Sequence, residues 1–273
     1  ISMELWGKVV EFDPNNLDAL SHLETLYERA KDWANLAEVC EKQVELSDDM
    51  QRKTQLLQKL GVLYSDKAPD DERAIAAWKS LLELDGNNRR AQDSLKKLYL
   101  AARAYEELED FYASQGKYDE FIRVLERQVD SEEPERRLEL YFKIAELWQT
   151  QLEKPDRAAR AYEKVLALDE SNLRAAEALI PIYEGGRDVK KYVNVLEIQL
   201  SHTEEPELSL ERIRALAELA EQRLRDKDGA FDWYLKAFEV DSRAEWIREE
   251  AERLAGEVGK WPELVTAYEA SYE

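Results

Sequence analysis

Residues 137–172 read RLELYFKIAELWQTQLEKPDRAARAYEKVLALDESN. At helical spacing, Leu140, Ile144, Leu147, Trp148 and Leu152 put apolar groups on one face of a first helix. Lys154-Pro155-Asp156 breaks it, because proline lacks an N–H and biases the residue before it away from helix. Ala158, Ala161, Tyr162, Val165, Leu166 and Leu168 then form the apolar face of a second helix, which Asp169-Glu170-Ser171-Asn172 ends. Two helices joined by so short a turn leave each stripe half covered, so the unit requires neighbours.

The unit recurs. Its ending is matched by Leu81-Leu82-Glu83-Leu84-Asp85-Gly86-Asn87-Asn88, by Val9-Val10-Glu11-Phe12-Asp13-Pro14-Asn15-Asn16 and by Ala237-Phe238-Glu239-Val240-Asp241. Upstream of each Asp stands an aromatic: Trp6, Trp78, Tyr162 and Tyr234. Late in the partner helices a second series runs Tyr27, Tyr64, Tyr99, Tyr112, Trp148, Tyr183, Ala220, Ala255. Its steps are about 36 residues, alternating long and short, except for one of about 13 between Tyr99 and Tyr112. Repeats of this period mean stacked helical hairpins, with a double unit as the true repeat.

Leu60-Gly61…Tyr64, followed by Ala74, Trp78 and the Leu-Asp-x-Asn-Asn ending, resembles the tetratricopeptide repeat. Phe12-Asp13-Pro14-Asn15-Asn16 matches that family's ending best. The copies are degenerate: where Gly61 stands, the others carry Glu24, Lys96, Ala145, Ile180, Ala217 and Glu252. The resemblance implies an all-α, right-handed α-solenoid of stacked antiparallel hairpins, about sixteen helices in all. Asp156-Arg157-Ala158…Tyr162-Glu163 also resembles the half-a-tetratricopeptide repeats of RNA-processing scaffolds, without their regular first-helix Trp.

The short step divides the array. Ala104-Tyr105-Glu106-Glu107-Leu108 begins a helix of about ten residues, and Gly116-Lys117-Tyr118-Asp119-Glu120-Phe121 begins another at once. We expect a first stack over 1–103, an extra short helix over 104–115 and a second stack over 116–273. The N-terminus reads as an orphan second helix over Ser2–Phe12, and the C-terminus stops on a second helix, Trp261–Tyr272, without a polar cap. Both ends therefore read as cuts through a longer array. Pro181 is expected to kink or shorten its helix, and Gly185-Gly186 to supply a flexible stop.

Composition narrows the function. Only 9 Gly and 7 Pro favour helix throughout. No apolar window is long enough to span a bilayer, and the first residues carry no basic-then-apolar signal. The compartment stays open, with the cytoplasm favoured. The balance of 60 acidic against 39 basic residues, a net −21, argues against nucleic acid and allows a solvated surface or a basic protein partner. Cys40, the one cysteine, sits at helical spacing as a small buried hydrophobe.

No catalytic pattern stands out. His22 and His202 lack neighbours at metal-ligand spacing, and there is no Gly-rich phosphate loop, Gly-x-Ser-x-Gly or Cys-x-x-Cys. The chain reads as a non-enzyme without metal or cofactor. In the resembled family, the first helices line a concave face that holds a partner segment. Carried over, that places Ser21, Thr25, Gln58, Asp93, Lys97, Phe142, Glu146, Glu177, Arg214, Glu218 and Glu249 on the binding face. Trp246 reads as an aromatic contact on the outward side of the last first helix. The set lacks the Lys and Asn clamp of chaperone-tail binders, so tails of the Glu-Glu-Val-Asp type are not expected to bind. Arg89, Arg90, Lys96 and Lys97 form the most basic stretch, which reads as a solvated face.

The leading expectation is a noncatalytic scaffold for a protein or peptide partner, within a large bacterial repeat protein that the double repeats resemble. The alternatives are a structural spacer that self-associates into homo-oligomers, the RNA-processing scaffold, and a regulatory segment of an enzyme lying outside these residues.

Overall fold

The computed structural model describes residues 3–271; Ile1, Ser2, Tyr272 and Glu273, and with them the expected start at Ser2 and end at Tyr272, lie outside the described residues. The rest is helical, with no strand among the described residues. The chain divides into two compact units, Ile1–Gly116 and Lys117–Glu273.

The first unit holds α1 (Met3–Phe12), α2 (Leu17–Ala30), α3 (Trp33–Leu46), α4 (Met50–Val62), α5 (Asp71–Leu84), α6 (Arg89–Ala101) and α7 (Tyr105–Ala113). The second holds α8 (Tyr118–Gln128), α9 (Pro134–Glu146), α10 (Pro155–Leu168), α11 (Leu173–Tyr183), α12 (Val189–Ser201), α13 (Pro206–Leu219), α14 (Lys227–Val240), α15 (Glu245–Val258) and α16 (Trp261–Ala270). Within each unit every helix packs on its neighbours in the chain, so each unit is an α-solenoid of stacked hairpins. The segment after the short step is α7, packed on α6 at the end of the first unit.

The recurring Asp-x-x-Asn ending is a joint. Asn16, Asn88 and Asn172 cap α2, α6 and α11, accepting the N–H of Ala19, Ala91 and Ala175 at 3.0, 3.1 and 3.0 Å. Their amides donate to Asp13, Asp85 and Asp169, the residues that end the preceding helices, at 3.2, 3.1 and 2.9 Å. The fourth copy keeps Asp241 but has Ala244 at the cap position, where no side-chain bond forms.

The three long first helices share a second device. α4, α9 and α13 each run on into a π-helical turn, Leu63–Lys67, Leu147–Gln151 and Ala220–Leu224. Just beyond, the N–H of Asp70, Lys154 and Asp226, the residues that start the next helices, donates to the carbonyl of Tyr64, Trp148 and Ala220 at 2.9, 2.8 and 2.9 Å. Each hairpin corner is thus closed by the main chain itself.

The core follows the repeat. Gly61 lies against the indole of Trp78, and a Cβ there would come within 2.4 Å of it. The equivalent residues are Ala145 with Tyr162 and Ala217 with Tyr234, all buried, so the small residue grows as the aromatic shrinks. Cys40 is fully buried, which pushes its thiol up to about 12. Pro181 lies inside α11, which ends soon after it. The stop at Gly185-Gly186 uses no left-handed glycine. Instead the guanidinium of Arg223 donates to the carbonyls of Glu184 and Gly186, at 3.3 and 2.7 Å, and holds the turn.

A polar staple crosses two of the wedges formed by a second helix, the next first helix and the following second helix. In the first unit Tyr64 on the π-turn after α4 donates to Glu41 on α3 at 2.6 Å, and Arg73 on α5 donates to the Tyr64 hydroxyl at 3.2 Å. In the second unit Glu163 on α10 accepts from Tyr183 on α11 and from Lys191 on α12.

Candidate functional site

The first helices of the second unit are α9, α11, α13 and α15, and side-chain contacts join α9 to α11 and α13 to α15. Arg174 on α11 pairs with Glu146 on α9 at 2.5 Å and lays its guanidinium 4.2 Å from the centre of the Phe142 ring. Arg214 on α13 donates to Glu218 at 3.1 Å and lies 5.1 Å from the centre of the Trp246 ring on α15. Arg253 on α15 binds Glu221, Glu250 and Glu257 at once.

Those contacts correct two expectations. Phe142 is buried, only 9% exposed, beneath Arg174 and edge-on to Tyr162 at 6.1 Å. It packs the core instead of offering itself to a partner. Trp246 is half-buried, packed edge-on against Tyr234 at 6.3 Å with Arg214 on its face. It closes the last pair and is no projecting aromatic.

Of the expected carboxylates, Glu146, Glu177, Glu218 and Glu249 lie on α9, α11, α13 and α15. Glu177 and Glu249 are exposed and have no hydrogen-bond or ion-pair partner among the described residues, whereas Glu146 and Glu218 are held by Arg174 and Arg214. The carboxylates outnumber the cations left to meet an outside ligand, and the aromatics that could have received one are covered.

In the first unit the corresponding helices are α2, α4 and α6. Ser21 and Thr25 spend their hydroxyls on their own helix, donating to the carbonyls of Leu17 and Ser21 at 2.8 and 3.1 Å. Gln58 is half-buried, Asp93 pairs weakly with Lys96 at 3.5 Å, and Lys97 is exposed without a partner among the described residues.

Beneath them lies a polar network that sequence reasoning passed over. Glu24, at the position Gly61 fills in α4, is buried and accepts from Gln43 on α3 at 2.8 Å and from Lys59 on α4 at 2.9 Å, and Arg52 on α4 also donates to it. Burial alone would push this carboxyl up; the bonds from Lys59 and Gln43 and the charges of Lys59 and Arg52 outweigh it and hold Glu24 below its ordinary value. Lys59, which also binds Glu28 at 2.8 Å, is held above its ordinary value by those two carboxylates against the opposing effect of burial. A glutamate where the repeat expects a small residue was the signal available for finding it.

Among the described residues no group of three or more metal-ligating side chains gathers, and His22 stacks on Trp6 at 4.4 Å. No described helix is long and apolar enough to cross a membrane.

Comparison with known proteins yields one family match: the tetratricopeptide repeat, over residues 19–54 and 104–139. The first segment spans α2, α3 and the start of α4; the second treats α7 and α8 as a first and a second helix. No curated protein matches the chain. Similar solved structures include MamA, 21% identical over 73% of this chain and 87% of its own, with a TM-score of 0.29. PilF of Pseudomonas aeruginosa is 19% identical over 88% of this chain and 97% of its own, with a TM-score of 0.30. A tetratricopeptide repeat protein from Parabacteroides merdae is 15% identical over 92% and 90%, with a TM-score of 0.31. Two segments of the chain thus match the tetratricopeptide repeat, and they lie in units built of stacked helical hairpins, as the repeat pattern in the sequence implies.

Proposed function

We propose that the protein is a noncatalytic scaffold that holds a basic segment of a protein partner on the first-helix face of its second unit. Tetratricopeptide scaffolds generally mediate protein–protein interaction, which gives the class of function by analogy of fold. The observation that supports the finer reading is that Glu177 and Glu249, on the first helices α11 and α15, are exposed and have no partner among the described residues, whereas Glu146 and Glu218 are ion-paired. Carboxylates that the protein does not neutralise itself attract cations and steer their approach.

The test is retention of proteins from the source organism's lysate by this chain, repeated with Glu177→Lys/Glu249→Lys. Neither residue holds a neighbour, so the double reversal leaves the fold intact. The reading expects a specific basic protein to be lost from the variant; equal retention by both chains overturns it.

A second reading, self-association, has one observation in its favour. Leu5, Val9 and Phe12 lie along one side of α1 and are 53%, 37% and 96% exposed. Light scattering across a concentration series, with Val9→Lys as control, distinguishes the two readings.

A further inference from the structure

The wedge formed by α8, α9 and α10 is the staple left open. Two wedges carry the same three-part device: an acid on one second helix, a tyrosine late in the next first helix, and a cation in the first turn of the following second helix. They are Glu41, Tyr64 and Arg73, and Glu163, Tyr183 and Lys191. Between α8 and α10 the corresponding residues are Glu126, Trp148 and Arg157. Tryptophan has no hydroxyl to bridge the charges, and Glu126 and Arg157 make no bond to one another. A pocket of about 450 Å³ stands there instead.

Its walls are unlike each other. Along α10, Arg157, Arg160 and Lys164 are exposed at helical spacing. Arg157 lies on the face of Trp148, 4.6 Å from the ring centre, and neither Arg160 nor Lys164 has a partner among the described residues. The floor is apolar, made by Val129, Ile144, Trp148 and Ala161. The α8 side carries Arg123 beside Glu126 and Asp130, and Arg123 is already met by Asp119 at 3.7 Å. The cationic edge is therefore the α10 edge. Although the chain carries a net charge of −21, none of its described carboxylates pairs with these three cations.

We propose that this wedge docks an acidic peptide segment of a partner protein. Its carboxylates lie along Arg157, Arg160 and Lys164, and one bulky apolar side chain sits on the Val129–Ile144–Trp148 floor. The occupant is argued from the next wedge, where the equivalent cation, Lys191, already holds a carboxylate: Glu163 Oε1 stands 2.6 Å from its ammonium. In the open wedge an incoming acid fills that role. The pocket volume is within the usual range for a side-chain-sized guest, and charge complementarity supplies orientation. This site is separate from the first-helix face proposed above, and opposite to it in charge.

The test is fluorescence anisotropy with a labelled peptide Glu-Glu-Leu-Phe-Glu-Glu and its Gln-Gln-Leu-Phe-Gln-Gln and Glu-Glu-Ser-Gly-Glu-Glu counterparts. We expect the first to bind, more weakly as salt rises, and each counterpart to lose at least about tenfold in affinity, equivalent to ~1.4 kcal/mol. Arg160→Glu/Lys164→Glu should abolish binding, and Glu177→Lys/Glu249→Lys should leave it unchanged. Trp148→Tyr, which restores the hydroxyl, should weaken binding by closing the staple; a circular dichroism melt confirms that this core variant is folded. Absence of binding at millimolar peptide, or equal binding by the Arg160/Lys164 variant, overturns the proposal. So does preference for single-stranded RNA over the acidic peptide.

Discussion

Tyr183 donates its hydroxyl to Glu163 at 2.5 Å, and Lys191 donates to the same carboxylate oxygen at 2.6 Å. Three consecutive helices are joined at one oxygen atom. Burial and the hydrogen bond to an anion push the tyrosine well above its ordinary value. The carboxyl lies below its own, because the bonds from Lys191 and Tyr183 overcome the opposing effect of burial. Replacing Tyr183 by Phe removes the donor but leaves the ion pair, so we expect a loss of about 1–2 kcal/mol in urea unfolding. Lys191→Ala should cost less, since the cation is half exposed.

Gly61→Ala should destabilise the first unit by about 1–3 kcal/mol, although alanine is the better helix former by about 1 kcal/mol. The added methyl would stand 2.4 Å from the Trp78 ring, which is fully buried and has nowhere to retreat. A denaturation midpoint equal to or above that of the parent would show that the indole can move.

Glu24 makes the first unit acid-sensitive. Its carboxyl is depressed in the folded chain from an ordinary 4.5. The stability it contributes is thus fully present above about pH 4.5 and is lost as the pH falls below that value through the folded pKa. Glu24→Gln should cost about 1–3 kcal/mol at pH 7, since Lys59 and Arg52 are left partly buried without their anion. The gap between parent and variant should then narrow below pH 4.5. Urea midpoints measured at both ends of that range check the sign; a constant gap would mean that the carboxylate charge contributes nothing.

The repeat predicts a stabilising change as well. Ala244 has an extended backbone, φ −66° and ψ 116°, close to Asn172 at −67° and 102°, and it starts α15 without a side-chain bond. Ala244→Asn should cap the helix and reach back to Asp241, raising stability by about 0.5–1 kcal/mol in thermal or urea unfolding.

The helices and their order were legible because their apolar residues recur with the period of a packed hairpin, and the Asp-x-x-Asn endings marked where helices stop. The surroundings of the first-helix residues were legible only in part. A helical wheel places Phe142 and Glu146 together, yet Arg174, two helix starts away in sequence, covers one and pairs with the other. Trp246 was misjudged for the same reason, since the arginine that covers it belongs to α13. The staples were invisible because Glu163, Tyr183 and Lys191 look like ordinary members of a chain with 60 acids until three helices bring them together. The π-turns left no trace in the periodicity, because each stands at the end of its helix, with no later turns to carry a shifted apolar stripe.

The main-chain bonds at the hairpin corners bear on how such a chain can drift. The bonds to the carbonyls of Tyr64, Trp148 and Ala220 ask nothing of side chains, and the corners they close read Tyr-Ser-Asp-Lys-Ala-Pro-Asp, Trp-Gln-Thr-Gln-Leu-Glu-Lys and Ala-Glu-Gln-Arg-Leu-Arg-Asp. Three unrelated heptapeptides make one bend. Mutations can accumulate there without altering the path of the chain, and the similarity between copies erodes while their geometry persists. All three corners fall outside the two segments that match the family, residues 19–54 and 104–139. At these corners the copies are alike in their backbone and not in their residues.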